Sequence, residues 1–177
     1  MQRRRFLLSL AASIGTSLIL ESRVLAAGLS EPRELSFFHT HTGERLTVAY
    51  FDECGYVPDA LVAVDHFLRD FRTEEVHPID PALLDILHDL KSSLGTGGEY
   101  QVISGYRSHE TNDELRKKSR GVAKHSLHLE GRAIDVRLDG VELGEIRDLA
   151  LAMQRGGVGY YRKSDFVHLD TGDVRSW

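Results

Sequence analysis

Histidine and aspartate residues late in the sequence have the types and spacing of metal ligands. In the segment SLHLEGRAID, His128 precedes Asp135 by seven positions with Gly131 between them, and His168 follows later in SDFVHLD. Catalytic zinc sites use three protein ligands and an open position for water, and two imidazoles with one carboxylate can supply those ligands. We therefore expect His128, Asp135 and His168 to bind a metal ion, with the glycine allowing the chain to turn between the first two.

Hydrolysis is the chemistry expected of such a centre. A bound metal lowers the pKa of its water from about 15.7 to about 7, and a nearby carboxylate can take the proton as hydroxide attacks a carbonyl. Asp165, three residues before His168, is the candidate general base. Spacing alone also fits a set of surface histidines, because the chain has nine. His39, His41 and His125 form further suggestive pairs, and we interpret them as unrelated to the metal.

Residue patterns in the first half predict the elements that precede this site. RELSFFHTHTGERLTVAYF has two β-favouring runs around its central TGE, which is typical of a hairpin. An apolar pattern of helical spacing begins at Pro58. A second helix is predicted to begin with Asp80 as its N-cap and Pro81 at its first position.

The second half predicts the strands that would carry the ligands. EYQVISGY is typical of a short strand, and SHETNDELRKKS of a polar helix with Ser108 and Asn112 as alternative caps. RAIDVRL alternates as a strand, so its aspartate faces away from its apolar side. A helix from about Leu143 to Gln154 is followed by the strands GGVGYY and DFVHLDT. Helices come mainly first and strands later, without regular βαβ alternation, so the predicted fold class is α+β.

The first residues have the features of an export signal. MQRRRFLLSL places three arginines before an apolar run that is shorter than the roughly 20 residues a membrane span needs. Small residues follow, so we expect cleavage after Ala26. The Arg-Arg-x-Phe-Leu pattern resembles the twin-arginine signal of bacteria and predicts export to the periplasm, with residues 1–26 as the signal and 27–177 as a single domain. An ordinary signal and an uncleaved signal anchor are the alternatives.

Composition limits the class of partner. The chain has 177 residues and a formal net charge of −5, and removing residues 1–26 takes away four arginines and one glutamate, which brings the charge to −8. This acidic balance argues against a nucleic-acid partner, which would need basic clusters. Cys54 is the only cysteine, so an intramolecular disulfide is excluded, and we expect the thiol to be buried or half-buried.

Three motifs carry a family resemblance. SLHLEGRAID matches Ser-x-His-x-x-Gly-x-Ala-x-Asp, a signature of the zinc D-Ala-D-Ala peptidase superfamily, while SGYRS resembles its substrate-side arginine segment and DFVH its acid-x-x-His segment. With the export signal, the HTGE hairpin and the C-terminal GGVGYY and DVRSW, the chain is most similar to the murein endopeptidase K family of periplasmic enzymes. The resemblance implies an α+β fold in which a small antiparallel sheet carries the metal site and helices pack mainly on one side.

The resemblance also implies a role for each residue of the centre. His128, Asp135 and His168 would hold one zinc ion, and Asp165 would be the general base, although several relatives have glutamate or a histidine instead. Arg107, in SGYRS, would stabilise the oxyanion of the tetrahedral intermediate. The alternative for Arg107 is a structural salt bridge.

The resemblance also implies contacts with the substrate. Ser126 would hold the substrate backbone or orient a ligand, and Tyr160 and Tyr161 would line the cleft. A turn or cap role for Ser126 and aromatic packing for the two tyrosines are the alternatives.

The resemblance implies a zinc-dependent peptidoglycan endopeptidase that hydrolyses peptide cross-links of the bacterial cell wall with metal-activated water. Its partners would be peptidoglycan peptide stems, with no nucleic acid and no stable membrane anchor after signal cleavage. Manganese or iron would also accept two imidazoles and a carboxylate. The alternative function is a catalytically inactive, zinc-containing cell-wall binding module.

Overall fold

Residues 32–119 and 121–177 are described by the computed structural model. The predicted export signal, residues 1–26, lies outside this part of the chain. Within the described residues the fold is α+β, as predicted, with helices and strands mixed along the chain. No helix in the same ranges is long and apolar enough to span a membrane.

The strands follow the predicted runs, with two short additions near Cys54 and at the C-terminus. They are β1 (Arg33–His39), β2 (Arg45–Asp52), β3 (Gly55–Tyr56), β4 (Tyr100–Ser104), β5 (Ala133–Leu138), β6 (Gly157–Tyr161), β7 (Phe166–Asp170) and β8 (Arg175–Ser176). The helices are α1 (Pro58–Phe67), α2 (Pro81–Ser93), α3 (His109–Lys118) and α4 (Leu143–Met153), with a 3-10 turn at Leu127–Glu130.

These strands form one eight-stranded sheet among the described residues, in the order β3-β2-β1-β4-β5-β7-β6-β8. The β1–β4 and β6–β8 pairs are parallel and the other neighbours are antiparallel. The sheet is therefore larger than the expected small antiparallel sheet, and it is mixed. Sequence patterns reveal hairpins between neighbouring strands, but they do not show that β4 returns beside β1 after two intervening helices.

The apolar core contains side chains from one face of the sheet and from three helices. In β5, Ile134, Val136 and Leu138 are buried in this core, which is the alternation predicted from RAIDVRL. Asp135 and His168 are partners in the antiparallel pairing of β5 with β7, so both point to the opposite face. The core is completed by residues of α1, α2 and α4, among them Val64, Phe67, Leu83, Leu87, Leu90, Ile146 and Ala150.

Helix starts agree with the predicted caps. The side chain of Asp80 accepts a hydrogen bond from the backbone of Ala82 at 3.0 Å, and Pro81 is the first residue of α2. Ser108, rather than the alternative Asn112, caps α3. The expectation for Cys54 is wrong, because the residue lies in the turn between β2 and β3 and its thiol is exposed.

Gly131 ends the 3-10 turn and leads directly into β5. Its φ is 65°, and a Cβ built there would lie 2.1 Å from the carbonyl oxygen of Pro78. The Gly131 carbonyl accepts a hydrogen bond from the backbone of Asp80 at 2.9 Å. Glycine is thus required both by the left-handed backbone and by the close approach of the segment before α2.

Replacing Gly131 with alanine should lower the free energy of unfolding by about 2–5 kcal/mol, because left-handed strain costs about 1–2 kcal/mol and overpacking adds about 1–3 kcal/mol. Gly140→Ala is the matched control, since Gly140 has φ 76° with nothing within 4 Å of its Cβ position. Urea unfolding of both variants measures the difference. Equal losses would contradict the proposed effect of close packing against Pro78.

Candidate metal centre

Three buried side chains meet on the sheet face opposite the core. His128 Nε2 lies 3.2 Å from Asp135 Oδ1 and 3.1 Å from His168 Nδ1, and His168 Nδ1 lies 2.9 Å from Asp135 Oδ1. All three residues are buried. The structure thus brings together the three predicted metal ligands.

Three neighbouring elements position these ligands. Asp135 and His168 are directly opposite each other on β5 and β7. His128 lies in the 3-10 turn that precedes β5, and Ser126 begins that turn by accepting a hydrogen bond from the His128 backbone at 3.4 Å. The left-handed Gly131 closes the turn, so the strand starts where Asp135 can reach the His128 ring.

Hydrogen bonds on the far side of each ring determine which nitrogen carries a proton. His128 Nδ1 lies 2.7 Å from the carbonyl oxygen of Gly105, which can only accept, so the proton is on Nδ1. His168 Nε2 lies 3.0 Å from Asp170 Oδ2, and a carboxylate likewise accepts. The nitrogens that face the centre are therefore unprotonated in the neutral rings.

This donor set fits a divalent metal ion. When both rings are neutral, two nitrogen lone pairs and a carboxylate oxygen point toward one centre, and a cation between them would be bound by all three. Ligand atoms bound to tetrahedral zinc at about 2.0–2.1 Å are about 3.3 Å apart, close to the three separations in the cluster. The second hydrogen bond of each imidazole is the arrangement that orients metal-binding histidines.

Burial and charge set the protonation of the cluster before a metal binds. Burial lowers the pKa of His128 to about 4, and the Arg107 charge acts in the same direction. Burial would raise the pKa of Asp135, but the Arg107 charge holds it well below its usual value. Burial opposes protonation of His168 as well, yet its hydrogen bonds to Asp135 and Asp170 raise its pKa. Asp135 is therefore ionised and His128 is neutral at pH 7.

Arg107 contacts the centre directly. Its Nη2 pairs with Asp135 Oδ2, and its Nε donates to Ser104 Oγ at 2.8 Å. Its backbone N–H donates to the carbonyl of His128 at 3.1 Å. The salt bridge that was the alternative for Arg107 is thus present, and the side chain also lines the open cleft beside the metal ligands.

Asp170 contacts a candidate ligand, although the sequence analysis gave it no role. Its Oδ2 accepts from His168, while Oδ1 accepts from the backbone N–H groups of Gly157 and Gly172 at 3.0 and 2.9 Å. Arg175 donates to both oxygens. The two-residue spacing from His168 along one strand was the available signal, because residues i and i+2 lie on the same face.

A cleft of about 650 Å³ opens over the cluster. The C-terminal Trp177 forms part of its wall, with its ring 5.2 Å from the His168 ring and its Nε1 donating to the Tyr161 hydroxyl at 2.7 Å. His41 and His125 also line the cleft without joining the metal cluster. Ser126 caps the 3-10 turn, which is the alternative predicted for it. The residue also lines the cleft.

The structure does not bring Asp165 into the cluster. Its side chain is 63% exposed and pairs with Arg137 Nη1 at 2.6 Å. The residue is also absent from the cleft lining, although its neighbours Ser164 and Phe166 are part of it. Its left-handed φ of 56° lies in the turn before β7. The general-base role of Asp165 therefore stays a prediction.

Tyr160 also lies away from the cleft. It packs against the apolar core, with the Arg147 guanidinium 4.5 Å from its ring centre. Val158 and Tyr160 share one face of β6, so the period-2 alternation turns Tyr161 toward the cleft instead. Of the two alternatives for Tyr160, the structure has aromatic packing.

Comparisons with known proteins identify the family of this chain. The profile of the family described as peptidoglycan L,D-endopeptidase MepK matches residues 27–177. The MepK of Escherichia coli strain K12 is 43% identical over 175 residues, which covers 99% of this chain and 96% of that protein. A probable peptidoglycan L,D-endopeptidase MepK of Haemophilus influenzae is 42% identical over 178 residues, again with 99% and 96% coverage.

Replacing Asp170 with asparagine should weaken metal binding about 10–100-fold. If the amide N–H points to His168 Nε2, that nitrogen must be unprotonated, and the proton moves to the Nδ1 that should face the metal. If the amide is turned the other way, its N–H meets the N–H groups of Gly157 and Gly172, and two donors face each other. Competition with a chromophoric chelator measures the affinity, and circular dichroism checks the fold. Asp148→Asn is the matched control, since Asp148 is 68% exposed and pairs only with Arg147 among the described residues. Unchanged metal affinity in the Asp170 variant would contradict this role.

Proposed function

The chain belongs to the MepK family of peptidoglycan L,D-endopeptidases, and we propose that it hydrolyses cell-wall peptide cross-links with one zinc ion held by His128, Asp135 and His168. It is accordingly a peptidoglycan endopeptidase of the metallopeptidase class. The observation that carries the metal proposal is the convergence of two imidazole nitrogens and one carboxylate oxygen, 2.9–3.2 Å apart, in a buried site. Zinc is the metal proposed because it favours this ligand set.

The protein groups around the centre prepare it for hydrolysis. Zinc, when bound, would supply a water of lowered pKa and polarise the peptide carbonyl. Gly105 and Asp170 hold the two imidazoles in the tautomers that leave a lone pair toward the centre. Asp135 uses one oxygen toward the imidazoles and the other toward Arg107, so its negative charge stays in the site at neutral pH.

Arg107 is proposed to stabilise the oxyanion that forms when the peptide carbonyl is attacked. Its guanidinium is anchored by Ser104 and Asp135, and its side chain is 13% exposed at the cleft. A fixed donor of this kind contributes about 2.7–4 kcal/mol to transition-state stabilisation. The ion pair with Asp135 supports this proposal, because it holds the guanidinium in place before the substrate arrives.

The bond proposed as the target joins an L-centre to a D-centre in a peptide cross-link, as the names of the relatives describe for those proteins. Ser126 is proposed to hold the peptide backbone, since its hydroxyl lies at the cleft and can still donate its proton. The periplasm is the proposed location. Export by the twin-arginine route rests on residues 1–26 and is part of the same proposal.

A digest of defined cross-linked muropeptides tests the function. The metal-loaded protein should convert a dimer to monomers, a chelator should stop the reaction, and added zinc should restore it. Mass spectrometry of the fragments identifies the bond that is cut. Intact dimers in the presence of metal-loaded protein would instead favour the cell-wall binding module.

The base role of Asp165 predicts that Asp165→Asn loses about 10²–10⁴-fold in turnover, the usual contribution of a general base, while metal affinity is kept. For this role the carboxylate must leave Arg137 and turn toward the centre when substrate binds. Steady-state turnover on the same muropeptide dimer measures the effect.

Arg137→Gln is the control for Asp165, because it removes the ion pair and leaves the carboxylate. This variant should keep its turnover if the carboxylate is the base. Unchanged turnover of Asp165→Asn excludes Asp165 as the base and leaves it a surface ion-pair partner of Arg137.

A further inference from the structure

One arginine of the cleft has no role in the metal centre. Arg72 lines the cleft, and its guanidinium forms no ion pair with an acidic side chain of the described residues. The other two arginines of the cleft are already paired, Arg107 with Asp135 and Arg175 with Asp170. Arg72 therefore supplies a positive charge in the cleft that no carboxylate of the described residues neutralises.

Aromatic rings support the Arg72 side chain. Its guanidinium carbon lies 4.1 Å from the centre of the Phe71 ring. The His41 ring stacks on Phe71 with ring centres 4.4 Å apart and an interplanar angle of 12°. Guanidinium stacking on an aromatic ring leaves the edge of the guanidinium, with its N–H donors, free for a ligand.

The backbone of Arg72 is tied to the segment that carries Arg107. Asp70 is buried, and its Oδ1 accepts from the Arg72 backbone N–H at 3.0 Å. Its Oδ2 accepts from the backbone N–H and the hydroxyl of Ser108, at 2.9 and 2.7 Å. Because Ser108 follows Arg107 directly, one carboxylate holds the two arginine segments at a fixed separation.

The proposed substrate carries the complementary charge. A peptidoglycan stem contains glutamate linked through its γ-carboxyl, so its α-carboxylate is free, and the stem also ends in a carboxylate. Guanidinium and carboxylate match in a two-pronged hydrogen bond, which makes arginine the favoured partner of this group. An unpaired arginine in the cleft that the metal ligands also line fits such a stem better than it fits an uncharged peptide.

We propose that Arg72, supported by Phe71 and His41, forms a carboxylate-binding subsite for the acidic peptide stem, separate from the metal ligands. The inference rests on the proposed endopeptidase function and names the group of the substrate that the cleft recognises. Burial and the neighbouring Arg72 charge lower the pKa of His41, so this ring is neutral at pH 7 and leaves the charge recognition to Arg72.

Binding of an uncross-linked stem tetrapeptide to the metal-loaded protein tests the subsite without turnover. Calorimetry compares the free acid with peptides in which one carboxylate at a time is amidated. Arg72→Gln should weaken binding of the free acid about 10-fold or more, since a charge-assisted hydrogen bond is lost. The peptide that lacks the recognised carboxylate should bind the parent protein as weakly as the free acid binds Arg72→Gln. Its affinity should be the same for the parent protein and for Arg72→Gln.

Arg45→Gln is the matched control. Arg45 also lies over an aromatic ring, with its guanidinium carbon 4.4 Å from the Phe38 ring centre, and it is exposed and outside the cleft. Its exchange should leave stem binding unchanged. Arg72→Lys keeps the charge without the planar fork and should lose part of the affinity, which guards against a loss caused by misfolding.

Three results would overturn the subsite: no loss in Arg72→Gln, an equal loss for every amidated peptide, or no binding of any stem peptide to the parent protein. The muropeptide digest separates these from failure of the proposed function. If the parent protein cleaves dimers and Arg72→Gln binds and cleaves them equally well, only the proposed subsite is contradicted. If the parent protein binds stem peptides through Arg72 but does not cleave dimers, the proposed endopeptidase function is contradicted and the subsite is supported.

Discussion

The buried carboxylate of Asp135 is the constraint around which the site is organised. A carboxylate removed from water is costly unless charges and hydrogen bonds compensate it. Here Arg107 meets one oxygen, and the rings of His128 and His168 meet the other. The loop after β4, the 3-10 turn and β7 present these partners, and Asp135 keeps a charged oxygen where a metal ion can bind.

The sheet separates this polar cluster from the apolar core. Alternation along β5 sends Ile134 and Val136 to the helices and Asp135 to the cleft, so adjacent residues serve stability and chemistry without sharing space. The strands pack against the helices on one face. The ligands on the other face lie 2.9–3.2 Å apart, and the cleft opens above them.

Carboxylates outside the ligand set extend this organisation. Asp170 orients the His168 ring and joins β6, β7 and the C-terminal segment through Gly157 and Arg175. Asp70 joins the two segments that carry the cleft arginines, because it accepts hydrogen bonds from the backbone N–H groups of Arg72 and Ser108. Each buried acid thus satisfies backbone N–H groups of loops, and the loops in turn fix the side chains that face the substrate.

Local sequence determined the elements and their ends. Apolar periodicity predicted α1, α2 and β5, and the caps at Asp80 and Ser108 follow from side-chain oxygens that reach the first free backbone N–H groups. These features depend on residues within a few positions, so the sequence alone is enough to predict them. The metal ligands were a possibility from spacing and became a definite set through the family motifs.

Only the tertiary structure decided the contacts between distant segments. It joined β1 to β4 in a mixed sheet and determined which imidazole nitrogens face the centre. It also placed Asp165 beside Arg137 and packed Tyr160 against the core. Pairing across 28 or more positions depends on how strands align in space, as it does for Arg107 with Asp135. Periodicity reports which face a residue occupies, but not which residue of another strand lies opposite, because register is a property of the assembled sheet.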